Sequence, residues 1–335
     1  MTFRHAALAL ALSTSAFSRF SYGFDIIAHR GASGYLPEHT LEAAALAYAQ
    51  HPSYIEQDVV ITKDGVPVVL HDIHLETVTD VEAVYPQRAR SDGRYYALDF
   101  TLEELRQLRV HERQNEKGEA VFPHRYQGDK ATFRVATLDA HIELIQQLNR
   151  ISDQDIGFYV EIKSPQWHRQ QGVDISAILL DTLKATNLAG KDANLYLQCF
   201  DFAEVKRLRN ELGFKGKLIQ LLGENSWGES VTDNDWLMSD DGLSELATVA
   251  DGVGPWLGQL LDAQALKKAK IVVQPWLATA QKQGLLIHPY TFRVDALPAG
   301  LSEEQVLSLL IEQLKVDGVF TDQVPPIKQF LMQNK

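Results

Sequence analysis

From residue 24 onward the chain alternates short, apolar, β-rich runs with segments of helical periodicity, and this alternation limits the fold more than any other feature. The β-rich runs are Asp25–Ala28, Tyr54–Ile61, Val66–Leu70, Ile156–Ile162, Leu195–Phe200, Lys217–Leu222, Asp251–Gly254, Leu285–Tyr290 and Gly318–Thr321. Helical spacing covers Thr40–Gln50, Leu138–Asn149, Ile175–Leu188, Phe202–Leu212, Asp262–Lys270 and Ser302–Leu314, and Val324-Pro-Pro opens a closing helix that runs to Gln333. Strands that alternate with helices make crossover units, and such units build a parallel sheet covered by helices. If Val66–Leu70 is the return arm of a hairpin across Lys63-Asp64-Gly65, about eight units remain, the number that closes a (β/α)8 TIM barrel. A doubly wound open sheet is the other arrangement of the same elements. At ~150 residues per domain the 335 residues would divide in two, but a barrel routinely absorbs that length, so one domain over residues 24–335 is expected.

One stretch breaks the rhythm. Residues 73 to about 135 carry mixed charges, turn residues and the cluster Arg88-Ala-Arg-Ser-Asp-Gly-Arg94, with one helix at Thr101–Leu108. That is far longer than an ordinary loop, so it reads as an insertion with structure of its own, placed after the second strand.

The 44 acidic residues outnumber the 32 Lys and Arg, for a formal charge of -12, which excludes sequence-independent binding to nucleic acid through a basic face. An acidic protein that handles an anionic substrate must concentrate positive charge locally. Cys199 is the only cysteine, so neither an intramolecular disulfide nor a cysteine-based metal site can form. The start Met1-Thr-Phe-Arg-His, the apolar block Ala6–Leu12 and the small residues that end at Gly23 describe a secretory signal peptide over residues 1–23. Removing it takes away Arg4 and Arg19, so Lys and Arg fall to 30 and the charge becomes -14. No cysteine stands at the cleavage point to carry a lipid anchor, and no apolar run reaches the ~18 to 20 residues of a membrane span. A free, exported, periplasmic protein is the expectation.

The chemically informative residues fall at the carboxyl ends of the expected strands, where a parallel barrel places its active site. Ile26-Ile-Ala-His29-Arg30-Gly31 runs an apolar strand into an imidazole and a guanidinium, and Arg presents a planar fork that matches phosphate oxygens. In Tyr54-Ile-Glu56-Gln-Asp58, alternation sets Glu56 and Asp58 on one face, ~6.6 Å apart, where they repel unless a cation lies between them. Val66-Pro-Val-Val-Leu70-His71-Asp72 delivers a second histidine, and Gly157-Phe-Tyr-Val-Glu161-Ile-Lys163 places an acid and a base on one strand face. Each motif taken alone also has a structural reading: a strand-end pair, two solvated acids, a core histidine or a salt bridge. Three acids, two histidines and two cations at strand ends in the first half of one barrel leave little room for independent structural roles.

These motifs, in order, with Pro37-Glu-His-Thr40 and Phe320-Thr-Asp322, resemble the glycerophosphodiester phosphodiesterases, and Leu195-Tyr-Leu-Gln-Cys-Phe-Asp201 and His288-Pro-Tyr290 are similar to the bacterial periplasmic type. The similarity runs from about Ile26 to Phe330. It implies a (β/α)8 barrel with an insertion after the second strand, and hydrolysis of glycerophosphodiesters such as glycerophosphocholine and glycerophosphoethanolamine to sn-glycerol 3-phosphate and an alcohol. It further implies Glu56, Asp58 and Glu161 as metal ligands, His29 and His71 as the acid/base pair, and Arg30 and Lys163 as phosphate contacts. His39 stands where many relatives have Asn, and Thr77 follows Glu76 where many carry Arg.

An all-oxygen site suits Ca²⁺ or Mg²⁺, and Ca²⁺ is preferred because an exported protein meets it freely and its 6 to 8 ligands leave room for substrate. Gln198, Phe200, Trp256, Tyr290 and Phe292 lie at or beyond later strand ends and are candidates for the substrate wall. A homodimer is compatible with this reading. The rival functions are a phospholipase-C-like or phospholipase-D-like phosphodiesterase on the same barrel, and an exported binding protein without catalysis.

Overall fold

β1 (Asp25–Ala28) is an apolar run hydrogen-bonded in parallel on both sides, to β2 (Tyr54–Ile61) and to the last strand, β9 (Gly318–Thr321). In the computed structural model, which describes residues 23–115, 117–266, 270–298 and 300–334, the other parallel strands follow in chain order. β4 (Gly157–Ile162) lies beside β2, then β5 (Leu195–Cys199), β6 (Lys217–Leu222), β7 (Gly252–Pro255) and β8 (Leu286–Ile287). β3 (Pro67–Val69) folds back antiparallel on β2, as the Lys63-Asp64-Gly65 turn led us to expect.

Backbone hydrogen bonds span the seam between β8 and β9. The amides of Asp317 and Phe320 donate to the carbonyls of Ile287 and Pro289 at 3.0 Å, and the Phe292 amide donates to the Phe320 carbonyl at 2.8 Å. Eight parallel strands therefore form a nearly closed barrel, and the doubly wound alternative, with two free edges, does not apply. β8 is shorter than its sequence run because Pro289 has no amide hydrogen to give to the ladder.

The covering helices begin where short polar side chains cap them. Thr40, Thr137, Asp174, Asp201 and Ser302 each accept a hydrogen bond from a first-turn amide of the helices Leu41–Ala49, Leu138–Ser152, Ile175–Ala185, Phe202–Asn210 and Glu303–Ser308. Each cap contributes about 1 kcal/mol. The helix expected over Ser302–Leu314 widens into a π turn at Leu309–Gln313. The one expected at Asp262–Lys270 is a single turn, Ala263–Leu266, and residues 267–269 lie outside the described residues, as do residues 1–22 of the expected leader.

Between strands and helices runs a continuous apolar layer, with Ile26, Ile55, Val160, Leu179, Leu197 and Leu243 among its fully buried members. A second core belongs to the segment after β3. Val78, Phe100, Leu105, Leu108, Val110 and Phe133 pack there on Val60, Val68 and Leu70 of the β2–β3 hairpin. Its helical content is slight: Val81–Val84, a 3-10 turn at Ala97–Asp99, and Leu102–Leu105 inside the expected Thr101–Leu108, opened by a capping box between Thr101 and Glu104. The segment is thus a small apolar body on the barrel's edge, held by burial more than by regular backbone.

Candidate active site

Six side chains fill the interior of the barrel as one cluster: Ile27, Tyr54, Tyr159, Tyr196, Ile219 and Phe320. Side chains on a strand return to the same face every two residues, so the next inward positions are His29, Glu56, Glu161, Gln198, Leu221 and Asp322. The first five line a cavity of about 210 Å³ at the carboxyl ends of the strands. The apolar floor thus supports a polar second tier, and strand period alone converts one into the other. Tyr159 is tied below by a 3.0 Å hydrogen bond between its hydroxyl and His288 Nδ1.

Glu56, Asp58 and Glu161 converge, because parallel pairing sets Asp58 beside Glu161 on neighbouring strands. They are only 2%, 1% and 5% exposed. Burial, and then the neighbouring Asp58 charge, push the Glu56 carboxyl well above the usual range. Burial does the same to Glu161 against the pull of Lys163. Asp58 Oδ1 is buried with no hydrogen-bond partner among the described residues. An orphaned carboxylate oxygen among raised acids is the arrangement a hard cation relieves, so the residues fit a divalent metal. Among the described residues, the donors that come within 4.8 Å of one another as a group are His39, Glu56 and Asp58. His39 Nε2 lies 2.7 Å from Asp58 Oδ2, while Glu161 leans onto Lys163 at 2.8 Å. The sequence singled out His39 only as a departure from a resembled pattern, and its backbone turn is what brings it in.

That turn is strained. Arg30 and His39 both adopt left-handed backbone, with φ of 58° and 60°, which costs about 1 kcal/mol or more each in a residue with a Cβ. Tight backbone bonds over-determine both. The Arg30 amide donates to Glu56 Oε2 at 2.7 Å, and the His39 amide donates to the Arg30 carbonyl at 3.0 Å.

The two histidines have matching surroundings. His29 Nδ1 is 2.7 Å from Asp322 Oδ1, and Arg30 Nε donates to His29 Nε2 at 3.2 Å. His71 Nδ1 is 2.6 Å from Asp72 Oδ1, and Lys163 Nζ stands 3.5 Å from His71 Nε2. A carboxylate can only accept and a guanidinium or ammonium can only donate, so each neutral imidazole carries its proton on Nδ1 and leaves Nε2 bare. Burial, with the Arg30 charge, pulls His29 down to about 3. Burial, Arg30 and Lys163 lower His71 as well. Burial alone would raise Asp322, but Arg293 and the His29 hydrogen bond hold it well below the usual carboxylate range. His29, Arg30 and His71 all line the same cavity.

Arg30 Nη1 also donates to both Glu38 carboxylate oxygens at 3.1 Å, and that acid is held low by Arg113 and Arg30 against burial. Of the expected wall residues, Gln198, Phe200, Trp256 and Tyr290 line the cavity. The Tyr290 hydroxyl donates to the Leu222 carbonyl at 2.6 Å, so its ring is fixed as wall. Phe292 does not line it: the side chain is fully buried in the outer apolar layer. Thr291 and Arg293 face the cavity instead. Trp227, on the loop after β6, was not foreseen; it meets Trp256 edge to face at 5.4 Å at the rim. An exposed tryptophan in a loop was the only available sign of it.

The model of the Glycerophosphoryl diester phosphodiesterase family matches residues 29–325. A glycerophosphodiester phosphodiesterase of Haemophilus influenzae is 41% identical over 315 residues, covering 89% of this chain and 86% of its own. One of Treponema pallidum is 34% identical, covering 89% and 88%. Among solved structures, a phosphodiesterase of Oleispira antarctica in complex with the product sn-glycerol-3-phosphate superposes with a TM-score of 0.60 at 21% identity, covering 92% of this chain and 96% of that one.

Proposed function

This chain belongs to the glycerophosphoryl diester phosphodiesterase family, and from that membership we propose that it hydrolyses glycerophosphodiesters to sn-glycerol 3-phosphate and an alcohol, with Ca²⁺ as its metal. The observation that carries the reading is the pair of histidines, each with Nδ1 on an aspartate and Nε2 beside a cation, at one carboxylate-lined cavity.

A phosphodiester monoanion repels nucleophiles and has a poor leaving alkoxide. Glu56, Asp58 and Glu161 would hold a Ca²⁺ ion, which would supply Lewis-acid charge to the site when bound. Arg30 and Lys163, each within 3.5 Å of a histidine Nε2, add charge where it builds up in the transition state. His29, neutral because burial holds it low, accepts the proton of the attacking hydroxyl at Nε2. His71 enters as the imidazolium, stabilised by Asp72, gives its Nε2 proton to the departing alcohol oxygen, and regains one from the water that opens the cyclic phosphate, while His29 returns its proton to the glycerol oxygen. In this proposal the glycerol hydroxyl next to the ester attacks first, and water then opens the cyclic phosphate. The order accounts for a substrate defined by its glycerol half and loosely defined in its alcohol.

The deciding experiment follows glycerol 3-phosphate release from glycerophosphocholine, with and without chelator and with His29→Ala. Release that needs Ca²⁺ and is lost in the variant is expected. Activity indifferent to chelation overturns the metal, and no release from the choline or the ethanolamine ester overturns the reaction. Single-step transfer of labelled water oxygen with inversion at phosphorus overturns the cyclic intermediate. The basic and apolar pattern of residues 1–23 further supports export to the periplasm, which an N-terminus near Phe24 on chain recovered from that compartment would test.

A further inference from the structure

The segment between β3 and the helix Leu138–Ser152 sends two arginines back to the barrel, and each ends on the aspartate behind a different histidine. Arg113 Nη1 donates to Asp72 Oδ2 at 2.6 Å, while its Nε and Nη2 fork onto Glu38 at 3.0 and 2.6 Å. Arg125 Nη2 donates to Asp322 Oδ2 at 2.7 Å and, with Nε, forks onto Asp295 at 3.0 and 2.8 Å. In both aspartates Oδ1 serves the histidine and Oδ2 the arginine. Neither arginine touches the cavity lining as a wall residue.

Building on the proposed phosphodiesterase reading, we propose that Arg113 and Arg125 are positioning residues: the inserted segment orients both histidines at a distance, by holding Asp72 and Asp322.

Three observations support this. Both arginines are rooted in the insertion, although their guanidiniums reach acids outside it. The backbone on either side of Arg113 is hydrogen-bonded to Thr77 and Val78, and Arg125 lies over the Phe122 ring at 3.6 Å. The geometry is bidentate at both outer acids, Glu38 and Asp295, which fixes the plane of each fork and therefore the direction of the remaining N–H toward the aspartate. Position 77, where the resemblance leads one to expect arginine, holds a threonine whose hydroxyl donates to the same Asp72 Oδ2 at 3.0 Å.

The two clamps are unequal. Without Arg125, Asp322 Oδ2 keeps the Arg293 bond at 2.7 Å. Without Arg113, the hydrogen bond that Asp72 Oδ2 keeps among the described residues is to the neutral Thr77. Arg113 therefore carries the larger share at its histidine.

The test is steady-state hydrolysis of glycerophosphocholine by the full chain, with Arg113→Ala, Arg113→Lys, Arg125→Ala, Asp72→Asn and the double variant Asp72→Asn/Arg113→Ala. Arg113→Ala is expected to lower kcat by about tenfold or more with KM changed by less than about threefold, and Arg125→Ala to lower kcat by less. Arg113→Lys should recover part of kcat. In the Asp72→Asn background, removal of Arg113 should cost much less than it does in the wild type, because the charged bond to Asp72 is already gone and chiefly the fork onto Glu38 remains to be lost. Full additivity in that cycle, or wild-type kcat in Arg113→Ala, overturns the proposal. If Arg113→Ala does not fold, the cycle is run with Arg113→Lys on the same criterion. Failure of the wild-type chain to release glycerol 3-phosphate refutes the functional reading itself; an active wild type that needs both histidines but shows additive arginine effects refutes only the positioning role.

Discussion

His29 Nδ1 and Asp322 Oδ1 lie 2.7 Å apart although 293 residues separate them in the chain. The bond joins the end of the first strand to the end of the last, which pair side by side in parallel. It also decides which nitrogen of His29 is bare.

Asp322→Asn therefore tests the tautomer. An amide can donate to Nδ1 and so move the imidazole proton to Nε2, where it blocks proton uptake. We expect kcat on glycerophosphocholine to fall by about 10² or more, with KM little changed. Wild-type kcat in this variant would sink the orienting role.

Glu56→Gln should separate metal binding from charge repulsion. In the metal-free chain, Glu56 and Asp58 oppose each other in a buried place, so neutralising one should raise the thermal midpoint. Ca²⁺ at about 100 times its Kd should stabilise the wild type by about 2.7 kcal/mol and the variant by much less. Equal calcium shifts in both chains would remove Glu56 from the site.

His288 gives a pH dependence with a definite sign. It is fully buried under Tyr159, and burial, then Lys217, pull it down to about 3. Above pH ~6.5 neither folded nor unfolded chain protonates it; below, only the unfolded chain does until the folded value is reached. Its share of stability is complete above ~6.5 and is lost toward about pH 3, at about 1.4 kcal/mol per pH unit. His288→Phe should be the weaker chain at pH 7 and should lose less between pH 7 and 4.5 in urea unfolding. Parallel losses would contradict the buried neutral imidazole.

Trp227→Ala should act on the leaving alcohol. With Trp256 it forms an aromatic rim, and a quaternary ammonium over such a face gains about 1 to 2 kcal/mol. KM for glycerophosphocholine should rise about 5-fold to 30-fold, kcat should hold, and an uncharged headgroup should respond less. Equal rises for both esters would argue for simple packing.

Much of this was legible beforehand, for an identifiable reason. β1, β2, β6 and β9 have the bounds their apolar runs indicated, because strand period and turn residues act over a few positions. The same period located His29, Glu56, Asp58, Glu161 and Gln198. It failed at Phe292, where the chain past Pro289 leaves regular strand and turns the ring outward into the apolar layer. It also passed over His39, whose approach to Asp58 depends on two left-handed residues in a loop.

The sequence by itself determined a parallel barrel and the tier of acids, histidines and cations at its mouth, since alternation in hydrophobicity dictates which side chains share a face. Only the tertiary structure decided what each of them meets. Asp322 behind His29, Arg125 behind Asp322, and Arg113 bridging Glu38 to Asp72 are contacts between segments distant in the chain. Such contacts form when barrel closure and the packing of the insertion bring those segments together, and no local pattern in a chain records the distances that result.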